Sequence, residues 1–344
     1  MNMRSTASSP GALVVGSGTA GLATALALAR RNVPVSLLGP KPALPPASAD
    51  VFDPRVYAVS PASQAFLAEL GVWDMLPPER MARLDAMHVT GNAPATATLG
   101  DIDAAPPRAG EVHLTAWQGN LPALAWVIEG RELERALRQA VAVLGVRWTT
   151  ERFASLSRSA DDTPWTVGTD TGRTLSADLL IGADGAGSPL RQAAGIGWHG
   201  SAYDATGLVV HLDVERPHQG VAQQWFTPDG VLALLPMPDS PDGAQMSMVW
   251  SMRRAQADAL LALPATEQAA QLEARLRRVA GDWAGRLRVR VPLHGFPLQV
   301  QRAEPMVMAG IALVGDAAHL VHPLAGQGLN LGLGDAASLA EALA

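Results

Sequence analysis

The sequence predicts an α/β fold: a Rossmann-like nucleotide-binding domain, discontinuous along the chain, with an inserted antiparallel β-sheet domain. Three observations predict it. At residues 12–30, 178–191 and 311–332, a short apolar strand runs into a glycine-rich turn that opens a helix. At 131–144, Leu133, Leu137, Val141 and Leu144 recur at helical spacing on an otherwise charged segment. Residues 207–250 change character and alternate short strands with turn signals, the pattern of an antiparallel meander. The nucleotide-binding segments are assigned to 11–80, 111–195 and 298–344, and the inserted domain to 81–110 and 196–297.

In chain order, Ala12–Val15 is a strand, and Gly16-Ser-Gly18-Thr-Ala-Gly21 follows it. An Ala- and Leu-rich helix then runs to Arg30. This is G-x-G-x-x-G with a strand before it and a helix after it. The glycines permit a tight turn and let a pyrophosphate approach the helix N-terminus. Taken alone, the same hexad also serves plain packing. The second strand, Val35–Leu38, should end at an acid that holds a ribose. Gly39 stands there, so either another group such as Arg55 takes that role or the dinucleotide reading weakens.

Residues 41–53 read as a Pro- and Ala-rich loop, 61–70 as a helix, 87–90 and 111–117 as strands, and 93–110 as an irregular excursion. Within helix 131–144, Glu134 and Arg138 pair at i,i+4. Arg131, at its start, is either a nucleotide contact or a surface charge. The inserted strands are 208–214, 221–226, 231–237 and 246–250, with turns at 227–230 and 238–243. Residues 256–279 read as one polar-faced helical stretch, and 288–301 as a strand leading back to the third phrase. Trp225 and Trp250 either line a cavity or fill the sheet core.

The third phrase carries the most chemistry. Strand 311–314 meets Gly315-Asp316, a His-Pro loop follows, and Gly326-Gln327-Gly328 opens a helix. Asp316 can accept hydrogen bonds from sugar-like hydroxyls. The backbone N–H groups from Gly326 to Leu329 lie at the positive end of a helix dipole. A ligand with a polyol chain and an electron-rich ring oxygen suits both, and reduced flavin is such a ligand. His319 and His322 are spaced i,i+3, but no carboxylate cluster completes a metal set, so no metal is expected. They shape the loop beside the ligand, and His322 is also a candidate proton acceptor for a phenol.

Composition narrows the chemistry. The 344 residues suffice for one large or two ordinary domains, and the 48 % apolar content is that of a globular chain. A net charge of −6 argues against a broad nucleic-acid surface. With no cysteine there are no disulfides, thiolate nucleophiles or iron–sulfur ligands. Hard redox chemistry then falls to an organic cofactor. Residues 1–11 are polar and Ser-rich, and glycines break the apolar run after them, so no signal peptide is expected. No apolar stretch reaches the roughly 18 residues of a membrane span.

The three phrases, in this order, resemble the group A flavoprotein monooxygenases of the p-hydroxybenzoate hydroxylase fold. Asp53-Pro-Arg55-Val-Tyr-Ala-Val-Ser60-Pro-Ala-Ser63, Leu70-Gly71-Val-Trp73, Pro217 through Phe226 and His322-Pro323 through Gly332 are similar to the ubiquinone-biosynthesis hydroxylase branch. The resemblance covers about residues 11–344. It implies FAD as cofactor, NADH or NADPH as co-substrate, and O2. Reduced flavin then gives a C4a-hydroperoxide, which passes a hydroxyl to an electron-rich aromatic ring. It implies a cofactor site at Gly16, Gly18, Gly21, Arg55, Arg131, Asp184, Asp316, Gly326, Gln327, Gly328, Leu329 and Asn330. His322 is the catalytic candidate, with Pro323 as the wall of the ring pocket. The implied substrate is a polyprenyl phenol of ubiquinone synthesis, and a soluble aromatic metabolite, hydroxylated or epoxidised, is the alternative. The expected location is cytoplasmic or peripheral on the inner membrane, in contact with that membrane or a multienzyme assembly. The chain ends at Ala344, inside the helix begun at Gly326, where the resemblance implies several dozen further residues. A truncated, non-catalytic flavin-binding protein is therefore the non-enzyme alternative.

Overall fold

The computed structural model describes residues 11–44, 52–91, 110–228, 230–241, 243–322 and 326–344. Its organising feature is a six-stranded sheet in the order Val307–Met308, Ile311–Leu313, Leu179–Gly182, Ala12–Val15, Val35–Leu38, Arg147–Thr149. All neighbours are parallel except the first pair. The strands of the three glycine phrases are the adjacent ones. Val15 pairs with Gly182, and Gly182 with Leu313, so all three turns leave the same sheet edge at the same level.

Alternation along these strands feeds two cores. Val14, Leu37 and Ile181 face the helices Thr19–Arg30, Gly130–Val143 and Gln327–Ala342. Leu13, Val15, Leu38 and Leu180 face a small sheet made of Phe153–Ser157, Trp165–Thr169 and Thr174–Ala177. Leu22 and Leu26 of the first helix are fully buried, so truncating either to Ala should cost about 2–5 kcal/mol. Helix 131–144 is found as Gly130–Val143.

The sequence-predicted meander is part of a larger sheet of eight strands. Its order is His319–Leu320, Leu287–Glu304, Gly197–Val214, Gly243–Arg253, Gly230–Ser240, Val221–Thr227, Ala86–Thr90, Glu111–Thr115. Glu111–Thr115, read from the sequence with the nucleotide-binding segments, instead pairs with Ala86–Thr90 at the edge of this sheet. The two longest strands, Gly197–Val214 and Leu287–Glu304, each run 18 residues; the first starts eleven residues before the sequence reading of 208–214, and the second outreaches 288–301 at both ends. Bulges near Ala202 and Val209 interrupt the alternation that would have marked their full length. The stretch 256–279 is two helices, Arg254–Leu261 and Ala265–Ala280. Pro264 separates them, because it lacks an N–H and disfavours helical geometry in the residue before it. Strands Val56–Val59, Met81–Leu84 and Ala125–Glu129 form a further small sheet that the sequence reading did not anticipate.

Candidate active site

The converging turns and the large sheet enclose a cavity of about 860 Å3. Gly18, Thr19 and Ala20 form one end of its wall, Gly315 and Asp316 the middle, and Gly326, Gly328 and Leu329 a second helix start. The strand Val56–Val59 and the preceding Pro54 and Arg55 close one side. The inner face of the eight-stranded sheet closes the other.

The glycines show what the cavity accepts. Helices Thr19–Arg30 and Gln327–Ala342 start at Gly18 and Gly326 with no side-chain cap. Their first N–H groups therefore have no intrahelical or capping acceptor. A Cβ on Gly18 or on Gly328 would meet no atom within 4 Å. On Gly16 it would lie 2.2 Å from the Ala183 carbonyl oxygen, and on Gly21 2.0 Å from that of Gly16. Gly16 and Gly21 thus pack the turn against its surroundings, while Gly18 and Gly328 keep space open over two positive helix ends. An elongated ligand with a central diphosphate and an electron-rich ring, as FAD has, fits both ends.

Asp316 lines the cavity, and its accessible surface opens into it. Desolvation raises its carboxyl above the usual range, and His319 opposes the shift. Asp335 organises this turn. Its Oδ2 accepts from the Gly315 N–H at 2.8 Å and bonds His319 Nε2 at 2.6 Å, and this bond is the main reason the His319 pKa is raised. Asp335 was missed in the sequence, although Gly328, Gly332 and Asp335 share one helix face at i, i+4 and i+7. Tyr57, also missed, lines the cavity beside Arg55, and burial raises its hydroxyl pKa. His322 lines the cavity and packs edge-on to Tyr203 at 5.3 Å, and burial lowers its pKa. Gln327 is exposed at the helix start. Pro323 lies outside the described residues.

Three expected cofactor contacts are turned elsewhere. The Asp184 carboxylate accepts from Ser188 Oγ and, at 3.0 Å, from the Leu190 N–H, so it caps the following short helix. Ala183 and Gly185, its neighbours, line the cavity instead. Arg131 is buried in an ionic network, with Glu129 at 3.0 Å and Glu132 at 3.2 Å, rather than in the cavity wall. Its backbone N–H donates to Asp53 Oδ2 at 3.0 Å, which steadies the segment carrying Arg55. The amide of Asn330 accepts from the Ser60 N–H and donates to the Ala58 carbonyl, both at 2.9 Å, tying the last helix to the strand Val56–Val59. Gly39 has its own reason for being glycine: a Cβ there would sit 2.8 Å from Ser17 Oγ, against the first glycine turn.

The sheet wall is mostly apolar, with Val209, Val231, Ala233, Leu235, Val249 and Phe296 facing in. Gln224, Ser251 and His294 add polar points. Trp250 and Trp225 take the core reading. Alternation sends Trp250 to the opposite face, where it is 2 % exposed and packs with helices Arg254–Leu261 and Ala265–Ala280, and Trp225 packs on the same cluster. Among the described residues, no set of three or more His, Cys, Asp or Glu is placed to hold a metal ion.

A family model described as FAD binding domain matches residues 11–344. The ubiquinone hydroxylase UbiL of Rhodospirillum rubrum is 36 % identical over 334 residues, covering 96 % of this chain and 71 % of that protein. The 3-demethoxyubiquinol 3-hydroxylase of Escherichia coli is 32 % identical over 332 residues, covering 96 % and 78 %. The crystal structure of PqsL, a probable FAD-dependent monooxygenase from Pseudomonas aeruginosa, matches with a TM-score of 0.74 at 20 % identity, covering 97 % of this chain and 85 % of that one. That likeness speaks for the fold alone. The chain belongs to the FAD-dependent group A monooxygenases, in the family of the ubiquinone hydroxylases.

Proposed function

We propose that this monooxygenase hydroxylates the aromatic ring of a polyprenyl phenol in ubiquinone biosynthesis, with NADH or NADPH as electron source. The observation that carries the reading is the single cavity shared by two open helix N-termini and an apolar sheet wall. The names of the two sequence relatives support the pathway.

FAD, when bound, supplies the oxygen chemistry. The chain's part is to bind, orient and exclude water. The turn of Gly16, Gly18 and Gly21 would hold the diphosphate against the N–H groups of Thr19 and Ala20. Asp316 would accept from polyol hydroxyls, and Arg55 would lie along the nucleotide. The N–H groups of Gly328 and Leu329 would face the electron-rich part of the ring. Val209, Val231, Ala233 and Val249 would keep water from the reacting centre and pack on an apolar substrate. His322, whose pKa burial lowers, would accept a phenolic proton. The segments 11–80, 111–195 and 298–344 would carry the cofactor, apart from the strand Glu111–Thr115, and 81–110 with 196–297 the substrate.

No helix among the described residues is long and apolar enough to cross a membrane. A prenylated substrate would still bring the protein to a membrane surface. Metabolite analysis of a strain lacking this protein tests the reading. One unhydroxylated prenyl phenol should accumulate, and normal quinone levels would overturn the proposal. In the purified protein, chromatography of the released cofactor should give FAD rather than FMN. The matching phenol should accelerate NAD(P)H oxidation.

A further inference from the structure

Behind the large sheet, between it and the helices Arg254–Leu261 and Ala265–Ala280, lies a second cavity of about 280 Å3. Trp250, Met252, Gln256, Arg275, Arg278 and Val279 line it. It is separate from the site described above. On the strand Gly243–Arg253, Val249 and Ser251 face the large cavity, while Trp250 and Met252 face this one.

The polar groups here lack a counterpart. Trp250 is 2 % exposed, and its indole N–H has no hydrogen-bond partner. Such a buried donor normally finds an acceptor. Arg275 and Arg278 sit i,i+3 on one helix face, Arg275 half-buried and Arg278 exposed at the mouth. Among the described residues, neither arginine has a carboxylate partner. Glu273, on the same helix, is taken up by the Val289 N–H at 2.9 Å. The two guanidinium groups and the indole N–H are donors only, and Gln256, which adds an amide oxygen to the lining, brings no charge to balance the arginines, so the site calls for an acceptor with negative charge.

We propose that this cavity binds a small oxyanion, a phosphate or carboxylate group, between Arg275, Arg278 and the Trp250 indole N–H. The volume suits one such group with a few waters, at about 30 Å3 for each water in the liquid. The anion is either a free phosphorylated solute or the headgroup of an acidic phospholipid, because Arg278 leaves the mouth open to either.

The test uses the FAD-loaded protein and inorganic phosphate. In a 15N spectrum of the indole region, titration with phosphate should move one cross-peak saturably, the peak absent from Trp250→Phe. Chloride at equal ionic strength should leave it in place. The double variant Arg275→Gln/Arg278→Gln should weaken binding at least tenfold while the FAD content stays that of the parent. If Trp250→Phe does not fold, the rise in Tm with phosphate, compared between the parent and the arginine variant, gives the same answer without an assignment. A peak that stays still, one that moves equally with chloride, or a double variant that behaves as the parent would each overturn the site. Vesicles of neutral phospholipid with and without an acidic one identify the source. Sedimentation that needs both the acidic lipid and the two arginines points to a headgroup, and phosphate binding without sedimentation points to a free solute.

Discussion

Two helices, Thr19–Arg30 and Gln327–Ala342, begin on glycine without a side-chain cap and open into one cavity, yet two glycines of these turns, Gly16 and Gly328, answer to different constraints. At the first helix, Gly16 adopts φ +117°, and a Cβ there would lie 2.2 Å from the Ala183 carbonyl oxygen. The chain itself demands glycine at that point. At the second, a Cβ on Gly328 would meet nothing. Only something that enters the cavity can demand glycine there. The contrast separates residues that build the site from residues that leave room in it, and substitution should split them in the same way.

The largest effect on the fold is expected at Gly16. Gly16→Ala combines a left-handed backbone with a clash against main chain, which cannot swing aside as a side-chain tip can. The apoprotein should lose about 3 kcal/mol or more, read as a lowered urea midpoint. A midpoint equal to the parent's would mean the turn yields, and the distinction between the two helix starts would fail.

Asn330 comes next. It sits on the second helix, yet its amide joins the Ser60 N–H and the Ala58 carbonyl, a builder's role. Asn330→Ala strands both backbone groups, and the apoprotein should lose about 2 kcal/mol. Flavin affinity measured where the variant is fully folded should change much less. A variant of parental stability with a large loss of FAD would restore Asn330 to the cofactor contacts that the sequence suggested.

This case shows what could be read from the sequence. Strands joined to glycine turns were legible because strand, turn and helix follow each other within a few residues, as at Ala12–Val15 and Gly16. Their meeting at one sheet edge follows from the parallel order of the three strands. Side-chain direction was not legible. Asp184, Arg131 and Asn330 lie beside the cavity, but each finds nearer partners, at Ser188, Glu129 and Ser60. Those partners lie 2 to 270 positions away along the chain, so spacing alone could not choose among them. The same holds for Tyr57 and Asp335, whose roles depend on which elements pack together. The length of the strand Gly197–Val214 was hidden because its bulges break the period that marks a strand.

Asp316 tests the comparison from the other direction, since a group kept for a ligand can burden the empty fold. Desolvation raises its pKa, so the folded chain holds the proton more firmly than the unfolded chain. Stability then falls as pH rises from the ordinary carboxylate value to the raised one, and the deficit persists above that. Asp316→Asn removes this titration. The apo variant should have a slightly higher Tm than the parent at pH 7, and the gain should vanish once pH drops below the ordinary carboxylate range. Asp316→Ala should at the same time weaken FAD binding by about 1–3 kcal/mol, through loss of a charge-assisted hydrogen bond. Equal Tm values across that pH window would show that the carboxylate costs the empty cavity nothing.

The smallest effect on the fold is expected at Gly328, and there it carries the most meaning. The residue lies in the first turn of its helix and faces the cavity, with no neighbour within 4 Å of a Cβ. Valine restricts the backbone and its own rotamer in a helix, but it replaces glycine, which is itself a poor helix former. The two propensity changes largely cancel, so the urea midpoint and circular dichroism of Gly328→Val should match the parent within about 0.5 kcal/mol. The isopropyl group would instead fill the space over the N–H groups of Gly328 and Leu329. FAD affinity should fall at least tenfold, about 1.4 kcal/mol, and flavin reduction by NAD(P)H should fall with it. Gly328→Ala, with a single methyl, should lie between parent and valine in affinity and raise stability by up to about 1 kcal/mol, because alanine is the better helix former. If valine destabilises the apoprotein as Gly16→Ala does, the second helix start is also self-packed and the cavity reading at that end is wrong. If stability and affinity are both untouched, the flavin ring lies elsewhere in the cavity.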